Sequence, residues 1–153
     1  MPHIHEKVDF TVEVFIVHKD KVLLRKHDKY GIWLSVGGHI ELDEDPVQAA
    51  LREVKEEVGL DIELIDSRGY TQAEKDFREL IPPVSMNRHR VSDTHEHVTL
   101  VYFARSTSDK VTPEKPTDQW KWCAVEDIDK LDGMKPNIAF SAKRALRELG
   151  EQQ

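Results

Sequence analysis

From Asp9 the chain reads DFTVEVFIVHKDKVLLRKH, alternating at first and then apolar on both sides of His18-Lys19-Asp20-Lys21. Side chains in a strand point to opposite faces at a period of two, so this is the pattern of two strands joined by a tight turn. Residues 33–36 predict a short extended piece leading into Gly37-Gly38, where two glycines permit positive φ and close backbone approach. Residues 61–73 read as a long strand or a bent pair of strands. Residues 98–105 (VTLVYFAR) predict a central strand, being β-branched and aromatic without Pro or Gly. A further strand over 120–125 leads into a short helix near 126–131.

The period changes to 3.6 between 46 and 58. Val47, Ala50, Leu51, Val54 and Val58 form one helical stripe, while Glu53, Glu56 and Glu57 fall within about 100° of one another on a face roughly 120° away. Asp45 suits the N-cap, Pro46 the first helical position, Gln48 the capping box and Gly59 the stop. A last helix is expected from Asn137 as N-cap, with Ile138, Ala142, Ala145, Leu146 and Leu149 inward and Gly150 at its end. Two stretches lack periodicity: 74–96, a long loop with room for one helical turn, and 106–118, a polar proline-containing connection. Strands mixed with three helices predict an α/β fold.

Composition narrows the class. At 153 residues the chain is expected to be one domain, 1–153. No run of about 18 apolar residues exists to span a membrane, and the start, MPHIHEKVDF, lacks the apolar centre of a signal peptide. A single cysteine, Cys123, forms no internal disulfide and suits a reducing, cytoplasmic setting. With 29 acidic against 22 basic residues the formal charge is −7, which argues against broad binding to extended nucleic acid or anionic membrane but not against a phosphorylated small molecule.

Helix stability does not explain the three glutamates. They sit in the C-terminal half, where the macrodipole disfavours anions by about 0.3–1 kcal/mol each, and their i,i+3 and i,i+4 spacings add repulsion. A solvated acidic face with Arg52 pairing Glu56 is the plain alternative. A hard divalent cation, Mg²⁺ or Mn²⁺, would offset the repulsion, and the absence of a nearby His/Cys set favours it over structural zinc.

The 23-residue segment GHIELDEDPVQAALREVKEEVGL fits G-x5-E-x7-R-E-U-x-E-E-x-G-U, U being a bulky aliphatic, with Gly38, Glu44, Arg52, Glu53, Val54, Glu56, Glu57, Gly59 and Leu60 at the defined positions. This resembles the Nudix box of the Nudix (MutT-like) hydrolases. The resemblance implies an α/β/α sandwich around a mixed β-sheet and a metal-dependent pyrophosphohydrolase. Its substrate would be a nucleoside diphosphate linked to another moiety, such as a nucleoside triphosphate, nucleotide sugar or dinucleoside polyphosphate. It implies Glu53, Glu56 and Glu57 as metal carboxylates, the Gly38 carbonyl as a further ligand, and Arg52 with Glu44 as a brace of the box. Family members often add an acid from outside the box: Glu114 is the first candidate, with Glu96 and Asp118 as rivals.

Substrate contacts are expected from Arg25, Lys26 and His27 at a strand end, where Arg and Lys suit phosphate. Trp33 and Phe77 could stack on a base, with a core role favoured for Trp33. Arg68, Arg78, Arg88 and Arg90 are further cationic options. Two H-x-H pairs, His3/His5 and His95/His97, could meet if the first strand lies beside the 98–105 strand, each offering two nitrogens to a transition metal. The competing function is a catalytically silent nucleotide-binding or sensor module. An isopentenyl diphosphate isomerase is disfavoured because Cys123 sits in KWCAV rather than in a catalytic motif, and decapping of messenger RNA by the want of a basic extension. A homodimer is compatible with the chain.

Overall fold

The computed structural model describes residues 6–28, 30–66 and 73–151. Along them run β1 (Val8–His18), β2 (Lys21–Lys26), β3 (Trp33–Leu34), β4 (Val36–His39), α1 (Pro46–Val58), β5 (Ile62–Leu64), β6 (Ala73–Glu74), β7 (Phe77–Arg78), β8 (Ser85–Ser92), β9 (His95–Ser106), β10 (Gln119–Cys123), α2 (Val125–Ile128) and α3 (Pro136–Leu149). The main sheet has the order β10-β2-β1-β9-β5, with β3 on β2, β4 on β1 and β8 on β9. β1 and β9 run parallel from Val8 beside Glu96 to Val17 beside Arg105, and the other pairings are antiparallel, so the sheet is mixed.

Both faces of β1 are buried, which is why it reads as nearly continuous apolar sequence. Val12, Val14 and Ile16 meet Ala49, Ala50, Val54 and Val58 of α1 on one face. Phe15 and Val17 meet Ile138, Ala142, Ala145 and Leu146 of α3 on the other, with the Phe15 and Phe103 rings edge to face. The result is the expected α/β/α sandwich. Helix α3 covers only part of its face. Asp9, Thr11 and Glu13 share the side of Phe15 by the period of two, and there the sheet turns polar: Thr11 and Thr99 join hydroxyls at 2.7 Å.

The structure departs from the sequence reading in several places. Helix α1 has the expected bounds and a complete capping box, with Gly59 left-handed at φ 68°. Its packed and acidic stripes overlap, however: Glu53 is only 4% exposed and Leu51 is 42% exposed. The helix lies on β4 as well as β1, and β4 carries glycines that leave room for a carboxylate. Gly37 and Gly38 serve by close approach, not positive φ, which is confined among described glycines to Gly31, Gly59 and Gly133.

The 74–96 stretch is no long loop. It holds the β6–β7 hairpin and β8, whose eight residues are all exposed. A strand whose side chains all stand exposed has no alternation to betray it. Among the described residues, the predicted strand over 61–73 holds β5 and, at Ala73, the start of β6, residues 67–72 lying outside the described set. In α3, Pro136 takes the first turn and Lys135 the N-cap, with no side-chain cap bond; Asn137 is already helical. Val125 opens α2 instead of closing β10. No described helix is long and apolar enough to cross a membrane.

Candidate active site

The site forms where β4 passes under the C-terminal half of α1. Arg52 is its structural hub. Its guanidinium grips Glu44 through Nη2 to Oε1 at 2.6 Å and Nε to Oε2 at 3.0 Å, and Nη2 also donates to the carbonyl of His39 at 3.0 Å. Nη1 reaches Glu53 at 3.0 Å and Glu56 at 3.2 Å. The backbone amide of Glu41 donates to Glu44 at 3.0 Å, closing the box loop. One forked cation thus ties the loop, β4 and two helix acids together. The pairing with Arg52 holds the Glu44 carboxyl below its ordinary range and raises the Arg52 guanidinium further still.

Glu53 and Glu57 face inward. Burial, then the proximity of Glu56, pushes the Glu53 carboxyl up against the opposing pull of Arg52. Burial and the charge of Glu53 push Glu57 to about 8, with Arg25 acting in the opposite direction and Glu114 in the same one. Two acids forced together out of water favour sharing a proton over both ionising. A Cβ on Gly38 would fall into the Glu53 carboxylate, so this glycine is what admits the acid.

The 106–118 connection closes the helix end. Thr112 donates its amide to Val58 at 2.9 Å and Glu114 to the Glu57 carbonyl at 3.0 Å, using carbonyls that a helix terminus leaves over. Trp122 Nε1 anchors the same loop at Asp109 by a 2.8 Å bond. A cavity of about 420 Å³ results, lined by Arg25, Glu53, Glu56, Glu57, Glu114 and Asp118, with Gly37, Gly38, His27, His39 and Lys115. Arg25 is aimed by Asp118, 3.1 Å from its Nη2, and lies over the Trp120 ring. Lys115 donates its amide to the other Asp118 oxygen at 3.1 Å.

A second cavity of about 240 Å³ adjoins, sharing Arg25, Gly37, Gly38, His39 and Glu57 and opening onto the polar end of the sheet at Thr11, Glu13, Ser35, His97 and Thr99. Burial raises the Glu13 carboxyl, which bonds to Ser35.

The residues suit a hard divalent cation. The donors grouped on α1 are all carboxylate oxygens, two of them desolvated and held toward protonation, which is the environment a bound dication would relieve.

Of the expected site residues, Glu53, Glu56, Glu57, Gly38, Arg25, His27, Glu114 and Asp118 meet at the larger cavity, and Arg52 with Glu44 stands behind it. Glu96 does not: it pairs with Arg88 at 2.7 Å on the sheet surface. Lys26, one residue on from Arg25, falls on the opposite side of its strand and lines neither cavity. Trp33 is a core residue packed with the α3 cluster, not a free stacking surface. Phe77 is exposed on the β6–β7 hairpin, beside Asp45 at the far end of α1. Arg78 shares that hairpin, Arg90 bonds to the Asp93 carbonyl, and Arg68 lies outside the described residues. Cys123 is fully buried and its thiol is raised by burial. His39, Lys115, Glu13 and Thr11 were not anticipated. Glu13 is a polar position in an apolar strand, which signals its facing but not where α3 ends.

Comparisons with known proteins agree with this architecture. The family model described as NUDIX domain matches residues 9–149. The crystal structure of a hydrolase of the NUDIX family from Clostridium perfringens superposes with a TM-score of 0.81 at 37% identity, covering 92% of this chain and 97% of that one. An Ap4A hydrolase from C. elegans, solved as a binary complex, shares the fold at 20% identity and TM-score 0.64, covering 92% and 96%. Among curated proteins, an RNA pyrophosphohydrolase of Roseobacter denitrificans is 27% identical over 107 residues, 68% of this chain and 67% of that protein. The aligned stretch thus spans about two thirds of that relative's length.

Proposed function

The chain belongs to the Nudix family of pyrophosphate-bond hydrolases, and from that premise we propose that it is a divalent-metal-dependent pyrophosphohydrolase. Its substrate is a nucleoside diphosphate linked to a further moiety. The observation that carries this reading is the meeting of Glu53, Glu56, Glu57 and Glu114 with Arg25 around one cavity floored by Gly37 and Gly38.

Glu53, Glu56, Glu57 and the Gly38 carbonyl would hold Mg²⁺ or Mn²⁺, which when bound supplies charge neutralisation at the phosphates and a more acidic water. Arg25, oriented by Asp118, binds a phosphate oxygen and draws the diphosphate toward the acids. Glu114 projects from the loop fastened to Glu57 and accepts the proton of the attacking water. Arg52 and Glu44 position Glu53 and Glu56 without touching substrate. The adjoining cavity, where Thr11, Ser35 and Glu13 stand among apolar residues, receives the nucleoside or its partner.

The similarity to an RNA pyrophosphohydrolase raises RNA as a substrate. The formal charge of −7 and the acidic cavity favour a short substrate over a long polyanion. The test is a panel of nucleoside triphosphates, nucleotide sugars, dinucleoside polyphosphates and a 5′-triphosphorylated oligonucleotide, assayed with Mg²⁺ and Mn²⁺. Release of phosphorylated products by the wild type, lost in Glu57→Gln, supports the proposal. Silence of a folded wild type across the panel would replace it with a binding or sensor role.

A further inference from the structure

We propose that Asp9, His95 and His97 form a second metal site, for a borderline transition dication of the Zn²⁺ class, distinct in chemistry from the carboxylate cluster on α1. Asp9 lies beside His97 in the parallel β1–β9 ladder. His95, two residues earlier in β9, points to the same face. One ligand atom from each of the three lies within 4.8 Å of the others. The grouping is interior: Asp9 is 1% and His95 4% exposed, and His97 is half-buried.

The spacing of the ligand atoms, from 2.9 Å to within 4.8 Å, brackets that of shared ligation. Four ligands at about 2.0–2.1 Å around a tetrahedral ion stand about 3.3 Å apart. His95 Nε2 is 2.9 Å from Asp9 Oδ2, and His39 Nε2 approaches the same oxygen at 3.3 Å from outside the three-residue group, which leaves the fourth position to water. The rings of His95 and His97 stand perpendicular, 5.6 Å between centroids, so they converge without stacking.

His95 Nδ1 faces the Glu6 carbonyl at 3.1 Å, and a carbonyl only accepts, so Nδ1 carries the proton. His95 thereby turns Nε2 toward Asp9 Oδ2, and the two atoms offer a nitrogen and a carboxylate oxygen to one common ion beside them. A histidine whose far nitrogen donates to a backbone carbonyl is the usual posture of a metal ligand. Nitrogen donors select zinc-class ions over Mg²⁺, whereas α1 offers oxygen alone. The competing account is an imidazolium bridging Glu6 and Asp9 with no ion at all, and the experiment separates the two.

The full-length chain, stripped of metal and held in excess Mg²⁺ to occupy the α1 acids, is titrated with Zn²⁺ by calorimetry and with Co²⁺ by visible absorption. Histidine-selective ¹⁵N NMR follows the ring nitrogens of the wild type. The expected result is one equivalent bound, intense tetrahedral Co²⁺ bands, and displacement of the His95 and His97 Nε2 resonances. Glu57→Gln keeps that equivalent, and His97→Gln weakens it by at least about tenfold. No uptake under Mg²⁺, or uptake that leaves both Nε2 resonances unmoved, overturns the site. The NMR reading decides the matter even where His97→Gln fails to fold.

Discussion

The backbone amide of Glu114 donates to the carbonyl of Glu57 across 3.0 Å, so an acid from a polar loop is set beside the last acid of the helix by the main chain itself. Its side chain is exposed yet lines the same cavity as Glu57. The two carboxylates therefore occupy different environments, one exposed and one half-buried, and should divide the chemistry.

Glu114→Gln is expected to lower kcat by about 10²-fold or more, the usual scale for losing a general base, while leaving affinity for Mg²⁺ nearly intact. Glu57→Gln should lose both. Glu96→Gln, paired with Arg88 away from the cavity, should change neither. Metal-dependence curves for the three variants check the division, and equal loss of Mg²⁺ affinity in Glu114→Gln would make that residue a ligand instead.

The metal-free protein should lose stability as pH rises. Glu57 titrates at about 8 in the folded chain against an ordinary value of 4.5, so between these the folded state keeps a proton that the unfolded state has released. The penalty is absent below 4.5 and complete above about 8. Glu53, also raised, acts with the same sign. Glu44 acts oppositely, its contribution present above the ordinary carboxylate value and lost as pH falls below it. Thermal melts in EDTA should therefore decline from pH 5 to 8.5, and saturating Mg²⁺ or Glu57→Gln should flatten the decline.

Arg52→Lys is not conservative here. An ammonium cannot span Glu44, Glu53, Glu56 and the His39 carbonyl at once. A loss of about 1.5–3 kcal/mol in denaturant unfolding is expected, the range for hydrogen bonds to charged groups. Glu44→Gln keeps one oxygen acceptor for Arg52 and should lower kcat less than Glu57→Gln does.

Gly38→Ala tests the fit of β4 to α1. The added methyl would displace the Glu53 carboxylate, so Mg²⁺ affinity should drop by about tenfold or more while the fold, judged by circular dichroism, persists. Unchanged affinity would mean that Glu53 is not a ligand.

Short-range physics was legible in the chain alone. The period of α1, its Asp45–Gln48 capping box and Gly59 stop, the β1–β2 turn and the strand within β9 all follow from neighbours a few residues apart. So does the spacing of the box acids, because a helix converts sequence offsets directly into a face. Long-range decisions were not legible. That α1 sinks Glu53 into the sheet depends on a glycine fifteen positions earlier in another element. That Glu114 and not Glu96 joins the acids depends on which loop donates to the end of α1. The exposed strand β8 exists because β9 offers it a backbone edge, and no side-chain pattern records that. Asp9 and His95 meet only through a parallel pairing of strands 86 residues apart in sequence. Local sequence determines which groups each element carries, and tertiary pairing determines which carriers face one another out of water, where carboxylates and imidazoles acquire their chemistry.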